Sequence, residues 1–211
     1  MSATVPDLEA ATAQDVVAYG VARFHPRLTI ACSFQKEESV LFHMLSMIEW
    51  GEREPIHAFT IDTGVLFAET LSTQQRFEER FALPIDVLDA RSPGAPWTAE
   101  RCCGEAKVAA LEAALAGVDA WITGIRREQA PTRAAAPKIQ SDERRGIWKL
   151  NPLADWTEKD LWGYIFEHDL PYHPLHDQGF ASIGCVPCTR PGAGREGRWA
   201  GQDKTECGLH V

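Results

Sequence analysis

The chain has 211 residues, of which 45% are hydrophobic and 24% charged, a composition typical of a globular domain with its own core. The net charge of −9 argues against a nucleic-acid backbone as the main partner. The sequence contains no apolar run long enough for a membrane span and no visible signal peptide, so we expect a cytoplasmic protein without a membrane partner.

Apolar patterning predicts strands and helices that alternate along the chain. An amphipathic first helix is predicted over 8–24. Strands are predicted over 28–32, 55–61, 84–88, 118–123 and 147–150. Further helices are predicted from about 40 to 48, after 64 to about 81, from 102 to about 115, and from a cap at Thr157 or Asp155 to 168. The chain after 170 shows little periodicity.

This alternation predicts an α/β fold, a single domain with a mainly parallel, twisted sheet flanked by helices. We expect an N-terminal helical segment over 1–24, the α/β domain over 25–183, and a C-terminal region over 184–211. Because ligands of such folds bind at the carboxyl ends of the strands, four segments should line one crevice. These segments are 33–39, 62–66, the region of Cys102, and 124–133.

The stretch 123–149 is locally basic on an acidic chain. Such a segment suggests a small anionic ligand or an acidic partner, although composition alone favours a solvated loop. Pro131 and Pro137 interrupt the stretch, which predicts loop for most of it.

Two cysteine pairs stand out, and reduced cytoplasmic thiols favour metal binding or thiol chemistry over disulfides. Cys185 and Cys188 form a C-x-x-C that Pro187 places in a loop; alone, it fits a redox dithiol, half a zinc site or half an iron–sulfur site. Cys102 and Cys103 add two thiolates. Adjacent helical residues point about 100° apart, which suits separate irons of a 4Fe–4S cluster better than one zinc ion. Buried hydrophobic cysteines are the alternative for the adjacent pair.

Cys207 stands four residues from the end of the chain, where termini are usually mobile. Lys204 and His210 would lower its pKa and increase its thiolate fraction. Cys207 is therefore a candidate nucleophile that can visit a substrate and then a partner protein, with a surface thiol as the alternative. Cys32 falls in the first predicted strand and is expected in the core.

Two segments could bind an anion. The segment 33–39 follows a strand and precedes a helix, which offers backbone N–H groups to a phosphate, but it contains no glycine and alone indicates only a strand-to-helix turn. Arg195 and Arg198 lie between the C-x-x-C and Cys207. Guanidinium groups suit phosphate and sulfate oxygens, and a solvated loop is the alternative.

Taken together, these segments resemble the adenylyl-sulfate reductases, within the wider phosphoadenylyl-sulfate reductase family. The resemblance covers about 25–210. Its most specific parts are Cys102-Cys103, the C-x-x-C, and the terminal run Glu206-Cys207-Gly208-Leu209-His210, with further matches at 62–64, 123–133 and 151–156. It implies a divergent pyrophosphate-binding-loop fold of the adenine nucleotide alpha hydrolase-like type.

The resemblance implies an enzyme that reduces adenylyl sulfate to sulfite and AMP for sulfate assimilation and cysteine biosynthesis, with thioredoxin or glutaredoxin as thiol donor. By the same resemblance, Cys102, Cys103, Cys185 and Cys188 bind a 4Fe–4S cluster. Cys207 is the nucleophile, and Lys107 and His210 assist it. The residues implied for the substrate site are Ser33, Asp62, Thr63, Gly64, Gly124, Arg126, Arg133, Arg195 and Arg198. A homo-oligomer is compatible with this interpretation.

The sequence departs from the family pattern at two places. A basic residue is usual where Ala106 stands, and a glycine or alanine is usual where Gln35 and Lys36 stand. Three alternatives stay open: a reductase of 3′-phosphoadenylyl sulfate, or of both substrates; an ATP-using thiolation enzyme; and a non-catalytic zinc or redox module. The four paired cysteines favour adenylyl sulfate.

Overall fold

Six strands form one sheet in the computed structural model, which describes residues 6–91 and 104–199. The strands are β1 (Leu28–Ala31), β2 (His57–Asp62), β3 (Ile85–Asp89), β4 (Ala120–Ile122), β5 (Ile139–Asp142) and β6 (Ile147–Leu150). They lie in the order β3-β2-β1-β4-β6-β5, and neighbours pair in parallel except β5 with β6. The predicted mainly parallel sheet is confirmed.

Five helices of the described residues flank the sheet. They are α1 (Ala13–Phe24), α2 (Lys36–Ser46), α3 (Ala68–Phe81), α4 (Glu105–Leu115) and α5 (Glu158–Glu167). Thr157 is the cap of α5, because its hydroxyl accepts from the backbone N–H of Asp160 at 3.2 Å. Helix α2 begins at Lys36, earlier than the apolar pattern predicts, so three charged residues occupy its first turn.

The core lies on both faces of the sheet, because neighbouring strand residues point to opposite sides. On one face, Ile122 of β4 packs in a large apolar cluster with Leu41 of α2 and Leu161 of α5. On the other face, Trp121 packs with Leu111 of α4. The carboxyl ends of β1, β2 and β4 therefore meet at one edge between these layers.

The strand predicted over 147–150 is confirmed as β6, but the loop predicted before it is wrong over Ile139–Asp142, where β5 pairs with β6 in an antiparallel hairpin. Alternating hydrophobicity is weak in Ile139–Asp142, and the strand exists because it pairs with β6. The basic side chains here also find carboxylates of this chain: Arg145 and Arg144 bind Glu112, and Lys138 binds Asp155. Much of the local positive charge is therefore compensated internally.

Within the two ranges that the structure describes, none of the helices combines the length and the apolar character needed to cross a bilayer.

Candidate active site

A cavity of about 520 Å³ opens at the carboxyl ends of β1, β2 and β4. Its wall contains many of the residues that the sequence singles out: Ser33, Lys107, Gly124, Arg126, Arg133, Cys185, Arg195 and Arg198. The predicted crevice thus brings together side chains from four separate segments. Asp62, Thr63, Gly64 and Cys188 lie beside the cavity and shape the loops around it.

The loop between β1 and α2 is held by Glu38. Its Oε2 accepts from the Ser33 hydroxyl at 3.1 Å and from the Gln35 backbone N–H at 2.9 Å. Burial, together with the charge on neighbouring Glu37, raises the pKa of Glu38 to about 8. The carboxyl group is therefore largely protonated at neutral pH, which limits the negative charge in this part of the cavity.

Gly124 follows β4 and lies directly against this loop. A Cβ atom added there would lie 2.6 Å from Glu38 Oε1 and 2.7 Å from Glu37 Cβ. Both contacts are too close for a side chain, so the absence of a Cβ lets the end of β4 approach the first turn of α2. This steric reason for Gly124 is independent of the ligand contact that the sequence predicts.

Arg126 is buried at the centre of an ionic network, with its side chain 3% exposed. Its Nε donates to Glu37 at 3.0 Å, its Nη2 to Glu158 at 2.8 Å, and its Nη1 to Glu128 at 3.1 Å. Burial alone would raise the pKa of Glu37, but the charges of Lys36 and Arg126 hold it below its usual value. Arg126 thus joins α2 to α5 through carboxylates.

The acidic members of this network and the role of Lys36 are not evident from the sequence. Lys36 is also buried, and its Nζ lies 2.9 Å from Glu158 Oε1. Lysine and glutamate are seldom fully buried unless they are paired. Three charged residues in the first turn of an otherwise apolar helix are a signal that these charges could be buried and paired. Their partners could not be identified from the sequence, because they come from distant parts of the chain.

Arg195 and Arg198 lie together on the opposite wall. Their guanidinium carbons are 5.2 Å and 4.6 Å from the centre of the buried Trp199 ring. Arg198 Nη1 donates to the Ile183 carbonyl at 3.0 Å, and a Cβ on Gly184 would lie 2.4 Å from Arg198 Nη2. The indole and the neighbouring backbone therefore orient Arg198 in the cavity wall.

The C-x-x-C lies on a short 3₁₀ turn, Val186–Cys188, and not at the start of an α-helix. Cys185 and Cys188 are buried and pack with Trp199. The Thr63 hydroxyl lies 3.2 Å from Cys185 Sγ, within hydrogen-bonding distance. The loop after β2 thus supports the cysteine loop, and Thr63 contacts a thiol in this structure.

Lys107 enters the same cavity from the first turn of α4, whose N-cap is Gly104. Cys102 and Cys103 precede this helix in sequence but lie outside the described residues, as do Cys207 and His210. The four-cysteine set and the nucleophile therefore stay predictions. Over 6–91 and 104–199, no group of three or more His, Cys, Asp or Glu residues is arranged to hold a metal ion.

The family model and the relatives similar in sequence indicate one family. The phosphoadenosine phosphosulfate reductase domain matches residues 27–191. A Gloeobacter violaceus protein named phosphoadenosine 5′-phosphosulfate reductase is 44% identical, over 93% of this chain and 87% of its own length. A Geobacillus thermodenitrificans protein named adenosine 5′-phosphosulfate reductase is 38% identical, over 97% and 92%. The crystal structure of Candida auris phosphoadenylyl-sulfate reductase in its phosphate complex superposes with a TM-score of 0.71 at 24% identity, covering 90% of this chain and 100% of that one.

Proposed function

The chain belongs to the phosphoadenosine phosphosulfate reductase domain family, and from that premise we propose that it reduces adenylyl sulfate to sulfite and AMP. The observation that carries the proposal is the convergence of Lys107, Arg133, Arg195 and Arg198 in one cavity with Cys185. A set of cations in a partly enclosed site suits a phosphate–sulfate anhydride. The reduction would serve sulfate assimilation and cysteine biosynthesis.

The names of the relatives refer to two different substrates, adenylyl sulfate and its 3′-phosphorylated form. The 44% identical protein carries the name of the phosphorylated substrate, whereas the 38% identical protein carries the name of adenosine 5′-phosphosulfate, which is adenylyl sulfate. We favour adenylyl sulfate because the chain contains the four paired cysteines. Reduction of 3′-phosphoadenylyl sulfate is the second candidate, which the name of the first relative favours.

The proposed reaction begins with Cys207. Its thiolate attacks the sulfur of the substrate, an S–S bond forms, the bridging S–O bond breaks, and AMP leaves with the electron pair of that bond. The product is an enzyme S-sulfocysteine. A reduced thioredoxin or glutaredoxin then attacks the Cys207 sulfur, which releases sulfite and leaves a mixed disulfide that the donor's second thiol resolves. The donor dithiol thus supplies both electrons.

The cationic residues of the cavity have a defined part in this step. Negative charge grows on the departing phosphate oxygen and on the sulfonate oxygens in the transition state. Lys107, Arg195 and Arg198 would stabilise that charge, and Arg133 would bind the nucleotide from the opposite side. His210 would assist from the C-terminal run. Ser33 and the backbone after β1 would contact the α-phosphate.

A 4Fe–4S cluster would be held by Cys102, Cys103, Cys185 and Cys188. The described half of this set fits, since the thiols of Cys185 and Cys188 are buried and Thr63 offers a hydroxyl to one sulfur. When bound, the cluster would supply a local electrostatic field beside the sulfate. Iron and sulfide in the purified protein, with a brown colour, would support this set; a colourless zinc protein would overturn it.

Intact-protein mass spectrometry tests the reaction. Anaerobically purified protein is incubated with adenylyl sulfate without a reductant, beside Cys207→Ser and the matched control Cys32→Ala. We expect a sulfite-sized adduct on the wild type and on Cys32→Ala, and none on Cys207→Ser. The same run with the 3′-phosphorylated substrate decides between the two candidates. Cluster-bearing protein that forms no adduct with either substrate would show that the covalent mechanism is wrong.

A further inference from the structure

Gln35 and Lys36 both reach across the cavity to the segment 181–183. The side-chain Oε1 of Gln35 accepts from the Ile183 backbone N–H at 2.8 Å. Lys36 Nζ donates to the Ala181 carbonyl at 2.9 Å. The two side chains therefore bind a backbone carbonyl and a backbone N–H that lie two residues apart in one short segment. They are also the positions where the family resemblance leads us to expect glycine or alanine, neither of which has a side chain that could make either bond.

The two contacts connect two parts of the cavity: the loop after β1, proposed to bind the nucleotide phosphate, and the segment that leads to Cys185, proposed to bind the cluster. Gln35 Nε2 also donates to the Ser33 hydroxyl at 3.2 Å, so Gln35 connects the loop between β1 and α2 with Ile183; we call segment 33–39, which contains this loop, the phosphate loop. Two residues after Ile183 comes Cys185, the first cysteine of the C-x-x-C. The phosphate loop and the cysteine loop are thereby joined through one glutamine side chain.

The contact between Lys36 and the Ala181 carbonyl is made by a side chain that is itself held in place by other groups. Its side chain is 4% exposed, it pairs with Glu158 at 2.9 Å, and its Nζ lies 5.9 Å from the centre of the Trp162 ring. Removing an ammonium group from water is costly, and buried ion pairs add little net stability. Their best-attested benefit is a defined arrangement of the groups around them.

We propose that Gln35 and Lys36 are positioning residues that couple occupation of the phosphate loop to the placement of the cysteine loop. The inference rests on the proposed function in that the phosphate loop binds an adenine nucleotide. With the contacts present, both walls of the cavity are held at one separation before the substrate arrives. Without them, the hydrogen bonds that still hold segment 181–183 among the described residues include those from Arg198 and the bond from the Ala181 N–H to the Gly192 carbonyl.

Hydrogen–deuterium exchange of the anaerobically purified full chain, with and without AMP, tests the coupling. In the wild type we expect AMP to slow exchange in both 33–39 and 181–188. In Gln35→Ala and in Gln35→Gly/Lys36→Ala, AMP should still slow exchange in 33–39 while its effect on 181–188 falls at least about threefold. The free variants should also exchange the Ile183 amide about fivefold faster, the effect of one lost hydrogen bond.

Matched controls separate coupling from general damage. Lys159→Ala removes an exposed lysine of α5, and Gln75→Ala removes an exposed glutamine of α3; both should behave as the wild type. Gln35→Ala removes a half-buried amide and no charge, so it remains informative if the double variant fails to fold.

Two outcomes would contradict different statements. If AMP slows exchange of 181–188 equally in wild type and variants, or if Ile183 exchange is unchanged, the positioning role is wrong. If AMP slows neither segment in the wild type, the nucleotide site of the proposed function is wrong, while Ile183 exchange in the free protein still decides whether the contact holds the segment.

Discussion

Two arginines in the same cavity are used in opposite ways. Arg126 donates to three carboxylates from α2, α5 and the turn after β4, so its positive charge is compensated by acidic side chains of the same protein. Among residues 6–91 and 104–199, Arg198 donates to a carbonyl and a hydroxyl and lies over the Trp199 ring, and these neutral partners do not compensate its charge. The difference teaches that lining a cavity is not by itself evidence of ligand binding, because carboxylates of the protein can already neutralise a cation in the wall. Arg126 holds the wall together, and Arg198 is the residue that we propose binds an anion.

The largest expected effect is on stability, from Arg126→Ala. The substitution leaves the buried Glu37 without its guanidinium partner, and removing one partner of a buried pair typically costs about 3–5 kcal/mol. Chemical denaturation should show this loss in the free energy of unfolding, and the charge-matched Arg126→Met/Glu37→Gln should recover much of it. Arg144→Ala, which breaks an exposed ion pair with Glu112, should change the free energy by less than about 1 kcal/mol. A small loss for Arg126→Ala would remove the distinction between the two arginines.

The next effect is on catalysis, from Arg198→Ala. Loss of one preorganised cation at the developing negative charge should lower kcat/KM about a hundredfold. Steady-state sulfite release with a thiol donor measures it, and Arg127→Ala, whose partner Glu9 lies away from the cavity, is the control. The unfolding free energy should fall less than in Arg126→Ala. If Arg198→Ala mainly unfolds the protein and keeps kcat/KM, both arginines serve structure.

The effect that is smallest per pH unit is the pH dependence of stability contributed by Glu38. Burial raises its pKa from 4.5 to about 8, so the folded chain retains a proton that the unfolded chain releases. Stability should therefore fall as the pH rises from about 5 to about 8, by at most about 1.4 kcal/mol per pH unit. Glu38→Gln should flatten this slope in denaturation curves measured across the range, and the exposed control Glu78→Gln should not. An unchanged slope would mean that Glu38 is ionised in the folded protein.

Much of the candidate site was predictable because its residues follow strands. Ser33 comes after β1 and Gly124 after β4, and carboxyl ends of parallel strands meet at one edge, so their proximity follows from the order of elements. The role of Arg126 was not predictable in this way. The resemblance implies that Arg126 is a substrate ligand, which stays a prediction, whereas its contact with Glu37 joins residues 89 positions apart.

The sequence by itself determined the alternation of strands and helices, a helix start at Thr157 or Asp155, and the C-x-x-C in a loop, because each depends on neighbouring residues only. The tertiary structure alone decided that β5 pairs along β6, that Lys36 and Glu38 are buried, and which arginine has carboxylate partners. The physical reason is that pairing, desolvation and charge compensation depend on groups brought together from distant segments. Local pattern encodes which residues enter a helix or strand, and folding decides which charges are already compensated when a ligand arrives.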